Sequence, residues 1–557
     1  VSRILVIGGY GGFGARLSRR LATAGHELLV GGRSRAKAQT FAATLEGAEP
    51  VVVNRERDIG AVLVEVRPQL VIDAAGPFQA SDYRVPKACI ALGIPYLDLA
   101  DARAFVCGIG ALDGAARTAG VAVVSGASSV PALSGAVARH LAEGLDRVTA
   151  IETALSASSR SSAGNSVAQA ILSYVGKPVR LWRGGRWQER SGWHELRTER
   201  YSVAGAKPLS RLVALCDVPD LELLPDMLPG RPAVAFRAGN ESRVQMIALW
   251  LLSWPVRRGW LRSLAGMGRW LLPLQRWVGR WSDDRSAMAM TLKGWRGGRP
   301  VTKRWTIMAE EGDGPEIPTL AAELVAGQLL AGLVAPGARD ASALLSLEQF
   351  EPLFATLAVR HETAELATSG PLYRRLLGGV FDRLPGAVQA MHDVHGDAGA
   401  SGEGEVKRGG GLIGRMIGAI VGFPPAGSYP VHVEFLQRGG RERWIRHFGP
   451  HRFWSWFSAR NGLLYERFGL LRFGFALPCD ESALRMRLVR WSAAGVPLPL
   501  FLAPKVDARE WQEGDRFRFD DRITMPLIGE LIHYSGWLRP VGAESEEDAE
   551  RGLRTAA

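Results

Sequence analysis

Over the first 130 residues, short apolar runs alternate with segments whose apolar positions recur at helical spacing. Runs from Arg3 to Gly8, up to Gly32, and at 51–54, 70–76, 95–100 and 121–127 predict strands. Helices are expected after the first run, over Ile59 to Val66, around Lys87 to Leu92 and near Leu112 to Ala119. Apolar strands separated by helices make a parallel sheet covered on both faces, the Rossmann-type doubly wound α/β arrangement. Beyond it the pattern becomes mixed. A helix over Ala132 to Glu143, a strand over 147–158, a helix over Asn165 to Val175, a hairpin around Gly184 and Gly185, and strands over Ala287 to Trp295 and Thr302 to Glu310 predict an α+β substrate or dimerisation domain. Its helical segment Pro318 to Leu333 is expected to pack back on the first sheet.

A boundary is expected between Phe354 and Gly370, then a mobile Gly-rich loop over Gly396 to Gly411 and a helix over Leu412 to Val421. From Pro430 onward short alternating runs predict a β-rich antiparallel domain, a curved sheet or barrel. The domains are therefore drawn at 1–135, 136–355 and 365–542, with a solvated tail over 543–557.

The first turn is the most informative segment. Gly9, Gly11 and Gly14 satisfy GxGxxG between a strand and a helix, with Gly8, Gly12 and Phe13 completing the turn. Such a turn lets backbone approach a pyrophosphate at a helix N-terminus. About 20 residues past the last glycine, where an acid would hold the ribose hydroxyls of NAD, stand Arg33, Ser34 and Arg35. Guanidinium groups pair with a 2′-phosphate, so NADP (NADPH) is the expected cofactor. Ligands bind beyond the carboxyl ends of parallel strands. Tyr83, Asp98, Asp101 and Ser128 are the candidate catalytic proton carriers near that crevice.

GGYGGFGARL, GGRS, DAAGPF, YLDLAD and GASSVPALS, in that order, resemble the NADP-binding domain of saccharopine dehydrogenase-like oxidoreductases over residues 1 to about 135. The resemblance implies a nicotinamide dehydrogenase or reductase in which Ala75, Gly76, Pro77 and Phe78 run beside the ribose and nicotinamide. Ser128 stands where many members carry an acid, which weakens the expectation of an amino-group substrate and leaves a small or lipid-like one. LLYERFGLLRFGFALP and IGELIHYSGWL resemble an uncharacterised bacterial domain found behind such dehydrogenase domains, over about 370–540. The alternative function is a non-catalytic NADP-binding sensor or scaffold whose last domain binds an apolar ligand.

The net charge of +12 could serve an anionic partner, yet no base-reading module is present and nucleic acid is not expected. Residues 244–285 hold six of the 17 tryptophans, with Arg262, Arg269, Arg276 and Arg280 at helical spacing. That segment predicts either peripheral membrane contact or a lid or homodimer contact. Four scattered cysteines and no clustered histidines predict neither a disulfide framework nor a metal site. No apolar run approaches the roughly 20 residues that span a bilayer, and the chain opens on a strand without a basic-apolar leader. A cytoplasmic protein is expected, with the inner membrane face as its peripheral site.

Overall fold

The computed structural model describes residues 1–57, 59–158, 172–264, 284–409 and 411–541. Six strands open the chain: β1 (Arg3–Ile7), β2 (Glu27–Gly32), β3 (Ala48–Val52), β4 (Leu70–Asp73), β5 (Tyr96–Asp98) and β6 (Ala122–Ser125). They lie in spatial order 3-2-1-4-5-6, all parallel, so the order reverses between β1 and β4. A ligand crevice at the carboxyl ends of the strands belongs to that reversal. Ile4, Val6, Leu70, Ile72 and Leu97 are buried on one face, Leu5, Ile7, Val71 and Tyr96 on the other. Burial on both faces is why these strands read as unbroken apolar runs.

The next strands are β7 (Arg147–Ala157), the hairpin β8 (Pro178–Arg183) and β9 (Arg186–Ser191), β10 (Arg197–Tyr201), β11 (Leu209–Leu215), β12 (Ala233–Asn240), β13 (Ser286–Arg296) and β14 (Arg299–Ala309), of which all but β8 and β9 form a mixed sheet. The hairpin β8–β9 stands apart from that sheet. The helix Ile317–Leu330 follows and returns to the first sheet, where Arg20 and Glu323 pair at 2.5 Å. β15 (Gly337–Asp340) then adds a seventh parallel strand beside β6. β16 (Val359–Leu366) closes the edge of the mixed sheet against β14. These two returns knit the first two sheets together, and neither was legible from local pattern.

The last domain is a closed antiparallel barrel. Its strands are β17 (Asp397–Lys407), β18 (Gly427–Arg438), β19 (Arg441–Phe448), β20 (His451–Arg460), β21 (Leu463–Phe468), β22 (Leu471–Ala476), β23 (Ala483–Ala493), the short outer β24 (Val496–Pro497), β25 (Lys505–Glu513), β26 (Arg516–Met525) and β27 (Gly529–Pro540). Pairing of β22 with β23 closes the ring, and pairing of β17 with β27 joins its first and last strands. Phe435, Phe448, Phe457, Phe517 and Trp444 fill the interior. The helices Leu372–Leu377 and Gly386–His392 plug the end that faces the mixed sheet. There His392 stacks on Tyr373 at 3.8 Å between ring centroids, and its ring nitrogen lies 2.6 Å from Glu510.

The loop expected over Gly396 to Gly411 is largely a strand. Its glycines mark close packing rather than freedom, since a Cβ at Gly402 would overlap the Trp537 carbonyl on the neighbouring strand. The expected helix Leu412–Val421 is present. Residues 159–171, which include the greater part of the helix expected over Asn165 to Val175, lie outside the described residues, as does the whole tail over 543–557. Trp270, Trp277, Trp281, Arg269, Arg276 and Arg280 of the Trp-rich segment do too. Its described part includes the helix Arg243–Arg257, whose Val244, Ile247 and Leu251 are exposed while Met246, Ser253 and Val256 are buried. Among the described residues, no helix is long and apolar enough to cross a membrane.

Candidate nucleotide site and crevice

β1 ends at Ile7 and the chain turns at once, with Gly8 at φ +76°. The Gly8 amide donates to the Gly31 carbonyl at 2.8 Å and the Gly11 amide to the Gly8 carbonyl at 2.8 Å. The helix Gly12–Thr23 starts directly on that turn, because a Cβ at Gly14 would overlap the Gly8 carbonyl. Ser18 fixes the contact by donating to the Gly9 carbonyl at 3.1 Å. No side chain caps this helix and no acid sits in its first turn. Its N-terminal amides and dipole are left for an anion, which is the donor set a pyrophosphate needs.

At the end of β2, Arg33 and Arg35 are exposed and make no ion pair among the described residues. Between them Ser34 caps the helix Arg35–Ala42, its hydroxyl accepting from the Lys37 amide at 3.4 Å. The Ser34 amide donates to the Tyr10 hydroxyl at 3.0 Å, and the Tyr10 ring lies where a Cβ on Gly32 would sit. Tyr10 therefore joins the glycine turn to the Arg-Ser-Arg loop. It occupies a variable position of the motif, and the residue type that makes room for its ring is Gly32.

The Ala75–Phe78 segment follows β4 and contains a cis Gly76–Pro77 bond. Asp73, fully buried, accepts from the Ala75 amide at 3.0 Å and faces the Arg55 guanidinium at 3.4 Å. Burial raises the Asp73 pKa, and Arg55 opposes that rise. Arg55 also donates to the Ala75 carbonyl and covers the Phe78 ring at 4.7 Å. This side chain, not anticipated from the sequence, holds both ends of the segment.

The four candidate proton carriers lie around the carboxyl ends of β4 to β6 in different states. Asp98 is fully buried and accepts from the Ala100 amide, the Ser125 hydroxyl and the Gly126 amide at 3.0, 3.0 and 2.8 Å. Burial outweighs those bonds and pushes its pKa up to about 6. Tyr83 donates to the Phe105 carbonyl at 2.8 Å and packs on that ring. Both are committed to holding loops. Ser128 is buried, with its backbone in the turn that follows β6. Asp101 is exposed to solvent although protein surrounds it on most sides, the position of a group on a crevice wall, and that surrounding raises its pKa. Gln79 donates to it at 3.4 Å.

The mixed-sheet domain supplies the facing wall. Tyr174 and Cys216 share a hydrogen bond at 2.9 Å, and the charge of Asp101 helps raise the pKa of each. Arg103 locks this arrangement by pairing with Asp217 at 3.1 Å and Glu222 at 2.9 Å. Among the described residues no cluster of three metal-ligating side chains occurs.

Residues 4–124 match the saccharopine dehydrogenase NADP binding domain. The N-terminal resemblance read from the five motifs is thereby shown, and the chain carries an NAD(P)-binding domain of that family. Residues 384–538 match a domain of unknown function, the C-terminal resemblance. No curated protein sequence matches the chain. Solved structures similar to it include apo saccharopine dehydrogenase (L-Glu forming) from Saccharomyces cerevisiae, at 12% identity over 65% of this chain and 100% of that one, TM-score 0.45. Amine dehydrogenase from Mycobacterium smegmatis is similar at 11% identity over 61% and 95%, TM-score 0.32. The nucleotide-domain match and the uncapped glycine turn together support an NAD(P)-dependent oxidoreductase.

Proposed function

We propose that the chain is an NADPH-dependent reductase or dehydrogenase acting on a small or lipid-like substrate. The observation that carries the choice of cofactor is the Arg33-Ser34-Arg35 loop, which ends β2 with two exposed guanidinium groups and no acid. A carboxylate there would repel a 2′-phosphate, whereas these groups attract it. The pyrophosphate is assigned to the turn Gly8, Gly9, Gly11, Gly12, Phe13 and Gly14, and the nicotinamide end to Ala75, Gly76, Pro77 and Phe78. Bound NADPH supplies the hydride. The chain supplies orientation and a proton.

Asp101 is the proposed donor of that proton. Asp98 is sealed from solvent and accepts three loop hydrogen bonds through one carboxylate oxygen, and Tyr83 donates to the Phe105 carbonyl, while Asp101 is accessible and its surroundings raise its pKa, the direction a proton donor needs. The test is titration of the purified chain with NADPH and NADH, followed by nucleotide fluorescence. NADPH is expected to bind more tightly, and Arg33→Ala to remove about 2 kcal/mol of that preference while leaving NADH binding unchanged. Equal affinity of the unmodified chain for both nucleotides would defeat the NADP assignment.

A further inference from the structure

The barrel has two different ends. Register along β17, β18 and β27 places 397, 438 and 540 at one end, and 407, 427 and 529 at the other. The first end faces the mixed sheet. His395 contacts the Val301 carbonyl at 2.9 Å there, and Lys293 donates to the Gln437 carbonyl at 3.1 Å. The second end points away from these contacts, and its described rim consists of the segments 407–409 with 411–427, 448–452, 467–472, 490–505 and 522–530.

Large apolar side chains stand exposed on four of these five segments. Leu412 and Met416 project from the helix Leu412–Val421, Leu470 from the β21–β22 turn, Phe501 from the β23–β25 connection, and Leu527 from the β26–β27 turn. Leu527 is fully exposed and Phe501 is 76% exposed. Apolar tips on four separate segments at one end form a surface, in contrast to single exposed residues scattered over a protein. Every charged residue in these rim segments is basic except Glu530, which Arg522 already faces at 3.6 Å. The outer wall instead exposes Arg487, Asp507 and Arg509, so the barrel is not built to be embedded in lipid.

We propose that this rim docks on the surface of an anionic phospholipid bilayer, the apolar tips entering the headgroup boundary and the basic residues meeting lipid phosphates. Charge selects the occupant. A second copy would bring the same basic rim against this one. The segment 265–283 contributes arginines of its own sign, and the tail after residue 541 leaves from the opposite end of the barrel. An anionic bilayer satisfies both features together, since apolar insertion and electrostatic attraction add. The inference is independent of the cofactor assignment.

The experiment is co-sedimentation of the purified full chain with vesicles of phosphatidylcholine alone and of phosphatidylcholine mixed with phosphatidylglycerol. About tenfold stronger partitioning to the anionic vesicles is expected, weakening as salt is raised. The double variant Phe501→Glu, Leu527→Glu should lose it while keeping its circular dichroism and NADPH titration. Equal partitioning to both vesicle types, or an unaffected double variant, would overturn the proposal. So would loss of binding in Trp260→Glu with the rim intact, which would assign the membrane contact to the Trp-rich segment. A dimer in solution that the double variant abolishes would overturn it in favour of a second copy.

Discussion

The Tyr10 hydroxyl accepts a hydrogen bond from the Ser34 amide at 3.0 Å and so ties the phosphate-binding turn to the loop that selects the cofactor. Tyr10→Phe keeps the ring over Gly32 and removes only that acceptor. The cost in stability should be about 1 kcal/mol. NADPH affinity should fall while NADH affinity holds, because only the 2′-phosphate depends on the position of Ser34 and its neighbours. Thermal unfolding and paired nucleotide titrations check both parts.

Gly14→Ala should act differently. Its Cβ would overlap the Gly8 carbonyl, so the helix Gly12–Thr23 has to move off the turn. A destabilisation of about 1–3 kcal/mol is expected, with loss of both nucleotides rather than of one. Retained NADH binding in this variant would show that the turn does not hold the pyrophosphate.

The first sheet was legible because strands buried on both faces leave continuous apolar runs and their glycine turns sit at strand ends. β15 and β16 were not, because Gly337–Asp340 and Val359–Leu366 are short or polar and find partners in sheets begun more than 50 residues earlier. β17 was hidden by its glycines, which packing requires at Gly402 and which read locally as a loop. At the site the same division holds. Gly8 to Gly14 and Arg33 to Arg35 carry local signals, whereas Arg55, Tyr174 and Cys216 gain their roles only through contacts with residues distant in the sequence.

Arg103 is the residue on which the crevice depends most. It is 10% exposed and reaches Asp217, Glu222 and the Arg180 carbonyl, all in the mixed-sheet domain. Its carboxylate partners are partly solvated, which reduces the loss below that of a fully buried pair. Arg103→Ala should still cost about 2 kcal/mol and raise hydrogen exchange along both crevice walls. Arg103→Lys, able to keep one ion pair but not the fork, should recover part of this. Unchanged exchange in the alanine variant would mean that other contacts hold the two domains.

Asp98 gives the chain a pH dependence whose sign can be worked out. Its folded pKa, about 6, lies above the value near 3.8 of an unfolded aspartate. Between those values the folded state binds the proton more strongly, so the contribution of this group to stability is greatest in acid and declines as pH rises toward 6. The decline is on the order of 3 kcal/mol. Asp98→Asn keeps an oxygen to accept from Ala100, Ser125 and Gly126 but cannot ionise. Thermal unfolding of the two proteins from pH 4 to pH 7 should therefore show a steeper fall for the unmodified chain, with the variant gaining on it as pH increases. Parallel curves would mean that the Asp98 carboxylate is ionised in the folded chain across the whole range and that its three hydrogen bonds outweigh burial.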